Sequence, residues 1–447
     1  MSVVAPAEQQ IMDVGRRLLD ALPSGLRNPF RAVDDRAIEM TSRDPELRAA
    51  MLRLVDVAPG CRNAEDLAAH LVGFLGEVEH RPPALGLAMR MGDSRAARTA
   101  LGTAVAASVR HVAHRFIVAE APAKADRHVR RLWDAGVATS VDLLGEATVT
   151  AAEADRYAAR CDEALAALAA IHARLPQNPD LEADAIGAIP RANLSVKVSG
   201  ITPLLRPEAP ELGIADAAAR LRPLLRRARE LDAHVHIDME SYDSRETIAQ
   251  LVLDVLAEDE FRDGPSAGVV VQAYLTDSAA LTERVVAWAE GAGRVHPLVV
   301  RLVKGAYWDH EVVDAAQHGW RAPVFERKAD SDRSFEALTR RLLDARPYVR
   351  PAIATHNLRS VAHAIVANEA SGAGPRDVEF QVLYGLGDDL MAALASEGYR
   401  VRAYCPVGDL VAGMAYLVRR LLENTANEGF LRQQADGTPV EELLAAP

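Results

Sequence analysis

From about residue 137 the chain alternates, eight times, between a short apolar run rich in β-branched residues and a longer stretch with helical spacing. The strand candidates are ATSVDLLGE (138–146), NLSVKVSGI (193–201), HVHIDMES (234–241), GVVVQAYL (268–275), PLVVRLVKGA (297–306), RPAIATHN (350–357), VEFQVLYGL (378–386) and RVRAYCPVG (400–408). Helical patterns such as IADAAARLRPLLRRARE, SRETIAQLVLDVLAE and SFEALTRRLLDA lie between them, and LVAGMAYLVRRLLENTAN follows the last. Eight strands, each followed by a helix, predict a closed parallel barrel. A doubly wound open sheet is the alternative. It would carry G-x-G-x-x-G after an early strand, whereas YGLGDDL supplies only two glycines.

Ahead of this region, residues 7 to about 135 read as helix after helix. Apolar residues recur at helical spacing in DPELRAAMLRLVDV and AEDLAAHLVGFL, with turn signals at APGC and HRPP. The expected organisation is a helical arm over 1–135, a barrel over 136–430 and a C-terminal tail over 431–447, an α/β fold preceded by an all-α part. A formal charge of -12 disfavours nucleic acid as a general partner, so any anion site must be a local cationic pocket. The three cysteines (Cys61, Cys161, Cys405) lie far apart and outside any C-x-x-C spacing, which points to neither a disulfide framework nor a structural zinc site. The start MSVVAPAEQQIMDVG lacks a basic region followed by an apolar one, and charges interrupt every apolar stretch. The expectation is a cytoplasmic, soluble chain, with peripheral contact on the inner face of the membrane left open.

Barrel chemistry gathers where strands end and the loops to the next helix begin. The polar residues follow that rule: Asp142 and Glu146, Lys197, Asp238 and Glu240, Gln272, Arg301 and Lys304, Thr355, His356 and Asn357, Gln381, then Tyr404. In the last helix, Tyr416, Arg419, Arg420 and Glu423 fall at i, i+3, i+4 and i+7, on one stripe. Taken alone, that stripe also reads as a solvated face with an Arg420–Glu423 pair. Pointed into a mouth that holds Lys197, two guanidiniums would receive a small carboxylate by charge-assisted bonds contributing about 1.5–3 kcal/mol each. Glu146 and Glu423 are candidate counter-ions. A different chemistry is offered by HVHID, where His234, His236 and Asp238 alternate on one strand face as in barrel metal hydrolases, with His356 a further candidate ligand. A third reading is a non-catalytic barrel that captures carboxylates.

The motifs DLLGEA (142–147), LSVKVSG (194–200), HIDMES (236–241), RLVKGAYWD (301–309), ATHN (354–357), FQVLYGLGD (380–388) and YCPVG followed by AYLVRRLLEN (404–408, 415–424) resemble, in order, those of proline dehydrogenase. The resemblance is to the proline dehydrogenase domain of the bifunctional proline utilization A flavoenzymes. It implies a distorted (β/α)8 barrel that binds FAD without a dinucleotide-binding domain, preceded by an α-domain to which FLGEVEHRPP and LRLVDVAPG are similar. Carried onto matching positions, Arg301 lies beside the flavin N5, and Lys304, Gly305, Ala306 and Trp308 approach the cofactor. Met239, Gln272, Thr355, His356, Asn357, Gln381 and Glu423 match further FAD-contacting positions. Lys197, Arg419 and Arg420 are expected to grip the proline carboxylate. Leu302, Tyr307, Tyr404 and Tyr416 shape the pocket, Asp238 sits near the ring nitrogen, and Glu146 forms a gate pair with Arg419. Asp238, Arg301 and Tyr404 are the expected catalytic residues.

The implied reaction oxidises L-proline to 1-pyrroline-5-carboxylate by hydride transfer to the flavin, with a membrane quinone as the next acceptor. Two positions depart from the family pattern: Cys405 stands where a small residue such as Ala is expected, and Glu326 where Thr is common. The stretch after residue 430 is too short for an aldehyde dehydrogenase, and the start shows no ribbon-helix-helix, so a monofunctional form or an excised domain is expected.

Overall fold

The computed structural model describes residues 7–23, 44–79, 95–145, 147–409, 413, 416 and 438–447. Eight parallel strands close into a barrel: β1 (Val137–Leu143), β2 (Ala192–Val196), β3 (Ala233–Ile237), β4 (Ser266–Gln272), β5 (Leu298–Val303), β6 (Val349–Ala354), β7 (Glu379–Leu383) and β8 (Arg400–Val407). Each strand pairs with the next, and the ring closes where Val137 to Leu143 pair with Val401 to Val407. All eight runs read from the sequence are therefore strands, shorter at their C-terminal ends than the apolar pattern suggested. NLSVKVSGI stops being a strand at Val196, and Val198–Ile201 forms one helical turn.

The helices between strands begin where local chemistry satisfies their first N–H groups. Thr150 and Glu153 form a reciprocal capping box at the head of Ala151–His172, and the Asn357 side chain accepts from Ser360 N ahead of Leu358–Ala370. Two elements lay outside the sequence reading. A helix, Trp308–His318, precedes Lys328–Asp344 between β5 and β6. A hairpin of two-residue strands, Ala183–Asp184 and Gly187–Ala188, inserts Asp184 between Arg350 and Arg400.

Strand alternation divides the barrel residues into two sets. Leu194, Val196, Val235, Ile237, Val300 and Leu302 belong to the main apolar core. The other set, facing the lumen, is unusually polar: Ser140, Asp142, Asn193, Ser195, His234, His236, Arg301, Arg350, Glu379, Gln381, Arg400 and Arg402 are all buried. Barrels are more often filled by branched aliphatic side chains. Such an interior is stable only if its polar groups partner one another.

The helices Pro45–Val57, Ala64–Gly76 and Arg95–Phe116 form a separate small core built on Leu47, Leu54, Leu67, Leu71, Leu75 and Leu101. Val55, Ala113, Phe116 and Ile117 join it to Leu144 at the end of β1. Helix Glu8–Ala21, in the helical arm, packs on the barrel and buries Ile11, Val14 and Leu18 in its core. The stretch expected to be a tail takes part too: Leu443 and Leu444 are buried there, and a Cβ on Gly15 would stand 2.5 Å from Leu444 Cδ2. Arg359 ties both chain ends to the barrel, donating to Glu8 Oε1 at 2.9 Å and to the Leu444 carbonyl at 3.0 Å. Apolar stripes at the two ends cover the same helical layer, which is why neither hangs free.

Candidate active site at the barrel rim

Asp238, one residue past β3, is the centre of the rim. Its Oδ1 accepts from Arg301 Nη1 at 2.7 Å and from Ser195 Oγ at 3.0 Å. Its Oδ2 accepts from Tyr404 OH at 2.8 Å and from Lys197 Nζ at 3.2 Å. Donors from three strands, β2, β5 and β8, thus converge on one buried carboxylate. Lys197 also bonds Asp142 on β1, so two of its three N–H groups are held by acids. Arg301 completes its set with Ser195 Oγ at 3.1 Å and Gln381 Oε1 at 2.7 Å, and its guanidinium lies 5.1 Å from the centre of the Tyr404 ring.

The electrostatics follow from burial and partners. Burial works against the Asp238 charge, but Lys197 and Arg301, with bonds from Tyr404 and Ser195, outweigh it and hold the carboxyl below its ordinary range. Burial likewise opposes the Lys197 charge, and Asp142, Tyr404 and Asp238 overcome it, lifting the ammonium well above its usual value. Tyr404 is pushed well up by burial and by the neighbouring carboxylates. At neutral pH the centre is therefore an ionised acid between two cations, with a protonated phenol as donor.

Beneath the rim the network continues. Gln381 Nε2 donates to Glu379 Oε1 at 2.7 Å, and Arg402 grips both Glu379 oxygens at 2.9 and 3.0 Å. At the base, Asp184 accepts from Arg350 at 2.8 and 3.0 Å and from Arg400 at 2.8 Å. The five cations Lys197, Arg301, Arg350, Arg400 and Arg402 face the four carboxylates Asp142, Asp184, Asp238 and Glu379, leaving one positive charge in excess. His234 and His236 add none, because burial pushes both well below the ordinary imidazole range.

Other expected residues lie around this centre. Gln272, at the end of β4, donates to the Glu240 carbonyl at 3.0 Å, while its own buried Oε1 has no partner. Met239 is buried beside Asp238 in sequence. In the loop after β5, Lys304 pairs with Asp332 and lies 5.7 Å from the Phe335 ring centre; burial, only partly offset by Asp332, pushes its ammonium down to about 8. Gly305 has φ +137°, and a Cβ there would stand 2.2 Å from the buried Tyr274 ring, so only glycine fits. Ala306 is exposed, Tyr307 half-buried, and Trp308 exposed with its Nε1 donating to the Phe325 carbonyl at 2.9 Å. Past β6, Thr355 Oγ1 accepts from Asn357 N at 3.1 Å, and His356 Nε2 accepts from Leu383 N at 2.9 Å, which fixes its tautomer.

Not every expected residue gathers here. Leu302 is fully buried in the main core and is not bonded into the cluster. Tyr416 packs beside Phe116 and Leu144, at the junction with the helical part. Glu146, Arg419, Arg420 and Glu423 lie outside the described residues. Of the two departures, Cys405 alternates with Tyr404 and so turns its thiol from the rim into the core. Glu326 is exposed, and the adjacent cations are engaged elsewhere, Arg327 with Asp330 and Lys328 with Asp332.

The metal-hydrolase alternative finds no ligand set. His234 bonds Ser266 Oγ at 2.8 Å and His236 at 3.2 Å, and both Asp238 oxygens are taken by donors. Among the described residues no three His, Cys, Asp or Glu side chains are grouped to hold a metal ion. Conversely, Ser195, Glu379 and Arg402 were not singled out from sequence. Each stands two residues before an expected one (Lys197, Gln381, Tyr404), so the period of a strand was the available signal.

Comparison with known proteins agrees with this architecture. A family model for proline dehydrogenase matches residues 125–433, and one for the N-terminal domain of proline utilization A matches residues 8–116. The bifunctional protein PutA of Escherichia coli strain K12 is 32% identical over 348 residues, 76% of this chain and 25% of its own length. Proline dehydrogenase 1 of Bacillus subtilis strain 168 is 29% identical over 323 residues, 71% of this chain and 89% of its own. The crystal structure of PutA from Bdellovibrio bacteriovorus inactivated by N-propargylglycine superposes with a TM-score of 0.90 at 32% identity, over 98% of this chain and 44% of that one. The chain spans about a quarter of the length of the PutA proteins it matches. With a match over residues 125–433, more than half of its length, the chain belongs to the proline dehydrogenase family.

Proposed function

We propose that this chain oxidises L-proline to 1-pyrroline-5-carboxylate with FAD as hydride acceptor, and that a membrane quinone receives the electrons. The observation that carries the reading is the rim itself, where the buried Arg301 and the half-buried Lys197 converge on Asp238. The cationic donors of Lys197 and Arg301 at this rim suit an anionic ligand such as an amino-acid carboxylate.

Three features fit a flavin dinucleotide. The orphaned Gln272 Oε1 offers an acceptor to an N–H of a heterocycle. Gly305 lets the backbone come close where any side chain would collide. Lys304, whose ammonium burial pushes down to about 8, gains from a nearby phosphate that would stabilise its charge. When bound, the flavin supplies the hydride-accepting ring that no side chain provides. Arg301, Gln272, Gln381, Lys304 and Gly305 would hold it, together with the loop over Thr355 to Asn357.

In this reading Asp238 is a counter-ion that fixes Arg301 and Lys197, and not the base. A carboxyl held below its usual range does not take up a proton near neutrality. Tyr404, protonated and bonded to Asp238, walls the pocket on the β8 side. The carboxylate grip assigned to Arg419 and Arg420 rests on the sequence motif, with Lys197 as the third cation. A quinone acceptor rests on the family alone; among the described residues no helix is long and apolar enough to cross a membrane.

Anaerobic titration of the purified protein with L-proline tests the proposal. Bleaching of a yellow chromophore is expected. Colourless protein from a flavin-replete host that takes up no added FAD would refute it, and proline binding without bleaching would favour the carboxylate-capturing barrel instead.

A further inference from the structure

The Arg301 guanidinium is oriented from below as well as from the side. Its Nε donates to Gln381 Oε1 at 2.7 Å, and the other end of the same amide donates to Glu379 Oε1 at 2.7 Å. An amide has one accepting and one donating end. With a carboxylate beneath it and a guanidinium above, only one of its two orientations satisfies both neighbours; the flipped amide would set N–H against N–H and oxygen against oxygen. Glu379 cannot turn to accommodate a flip. Arg402 holds both of its oxygens, and Arg402 is itself anchored to the Thr139 carbonyl at 2.9 Å. All of these groups are buried, so water does not compete for the bonds.

We propose that Glu379 is a positioning residue which, by polarising the Gln381 amide, sets the direction of the Arg301 guanidinium at the rim; its consequence for the flavin rests on the function proposed above. Glu379 touches neither the rim nor a ligand there. It acts from the interior layer below, and the pair Glu379 and Gln381 shares a face because the two stand at i and i+2 on β7.

The test uses two variants. Glu379→Gln removes the charge that orients the amide. Gln381→Met removes the acceptor seen by Arg301 but leaves Glu379 paired with Arg402, so its effect does not arise from loss of that pair. In flavin-free protein labelled with 15N-arginine, the Arg301 Nε–H resonance is assigned by its loss in Arg301→Lys. In both variants it is expected to shift and its proton to exchange with water at least tenfold faster, while the Arg350 Nε–H, bonded to Asp184 at the barrel base, serves as the unperturbed control. In flavin-loaded protein, a looser cation beside the ring should lower the ratio of reduced to oxidised affinity about tenfold, a midpoint about 30 mV more negative for a two-electron couple. An unchanged Arg301 signal in Glu379→Gln, or an unchanged midpoint at full occupancy, overturns the relay. If wild-type protein takes up no flavin, the proposed function fails while the exchange measurement still decides the inference.

Discussion

Replacing Asp238 by Asn preserves the shape of the rim and removes its charge. In the wild type each carboxylate oxygen accepts two donors, Arg301 and Ser195 on one side and Lys197 and Tyr404 on the other. Asn offers one acceptor and one NH2. Whichever way it is set, the NH2 meets a buried pair of donors, and two cations lose their common anion. Breaking a buried ion pair by removing one partner costs about 3–5 kcal/mol, because the remaining charge is left uncompensated. That corresponds to about two to three and a half orders of magnitude in the folding equilibrium.

Urea denaturation at pH 7, followed through the buried Trp133, should show a lower midpoint at unchanged slope. Because the folded carboxyl is held below its ordinary range, the stability it contributes is present above the unfolded value and is lost as pH falls through the folded one; wild type and variant should converge in acid. A second substitution, Lys197→Met, should not recover the loss, since Lys197 still pairs with the buried Asp142, which would then be left without its cation. A loss under about 1 kcal/mol, the range of exposed pairs, would refute the argument that the charges bonded to Asp238 are held out of water.

Three further outcomes are expected. Gly305→Ala forces a non-glycine residue to φ +137° against the Tyr274 ring and should cost about 1–3 kcal/mol or displace the loop, read as lowered thermal stability together with reduced flavin retention. Lys304 has its folded value depressed to about 8, so between there and the unfolded value the unfolded chain binds more protons; ligand-free wild type should gain stability relative to Lys304→Met as pH rises through that window, and parallel curves would count against its burial. His172 is buried with neither ring nitrogen partnered and has its value pushed down to about 4 by burial, so its contribution is lost as pH falls from its unfolded value toward 4. His172→Leu should flatten that part of the acid-stability curve, and an identical curve would contradict the assignment.

The rhythm of apolar runs determined the barrel on its own, because eight buried strands with crossover helices have few other ways to close. The same local order placed Lys197, Asp238, Arg301, Gln381 and Tyr404 at strand ends, and motif resemblance added a chemistry. Tertiary structure alone decided which of them share a partner. That Asp238 collects donors from β2, β5 and β8 depends on closure and register, neither of which is written in any one segment. The layer beneath was legible only as a period of two: Ser195, Glu379 and Arg402 looked like unremarkable strand residues until the ring brought them opposite one another. An amphipathic stripe shows that a helix must be covered and not by what: that Ile11, Val14, Leu443 and Leu444 lie on the barrel's core was decided by the tertiary structure. Local sequence governs which side chains turn inward, while the distance between charges, and hence their energies, belongs to the closed barrel.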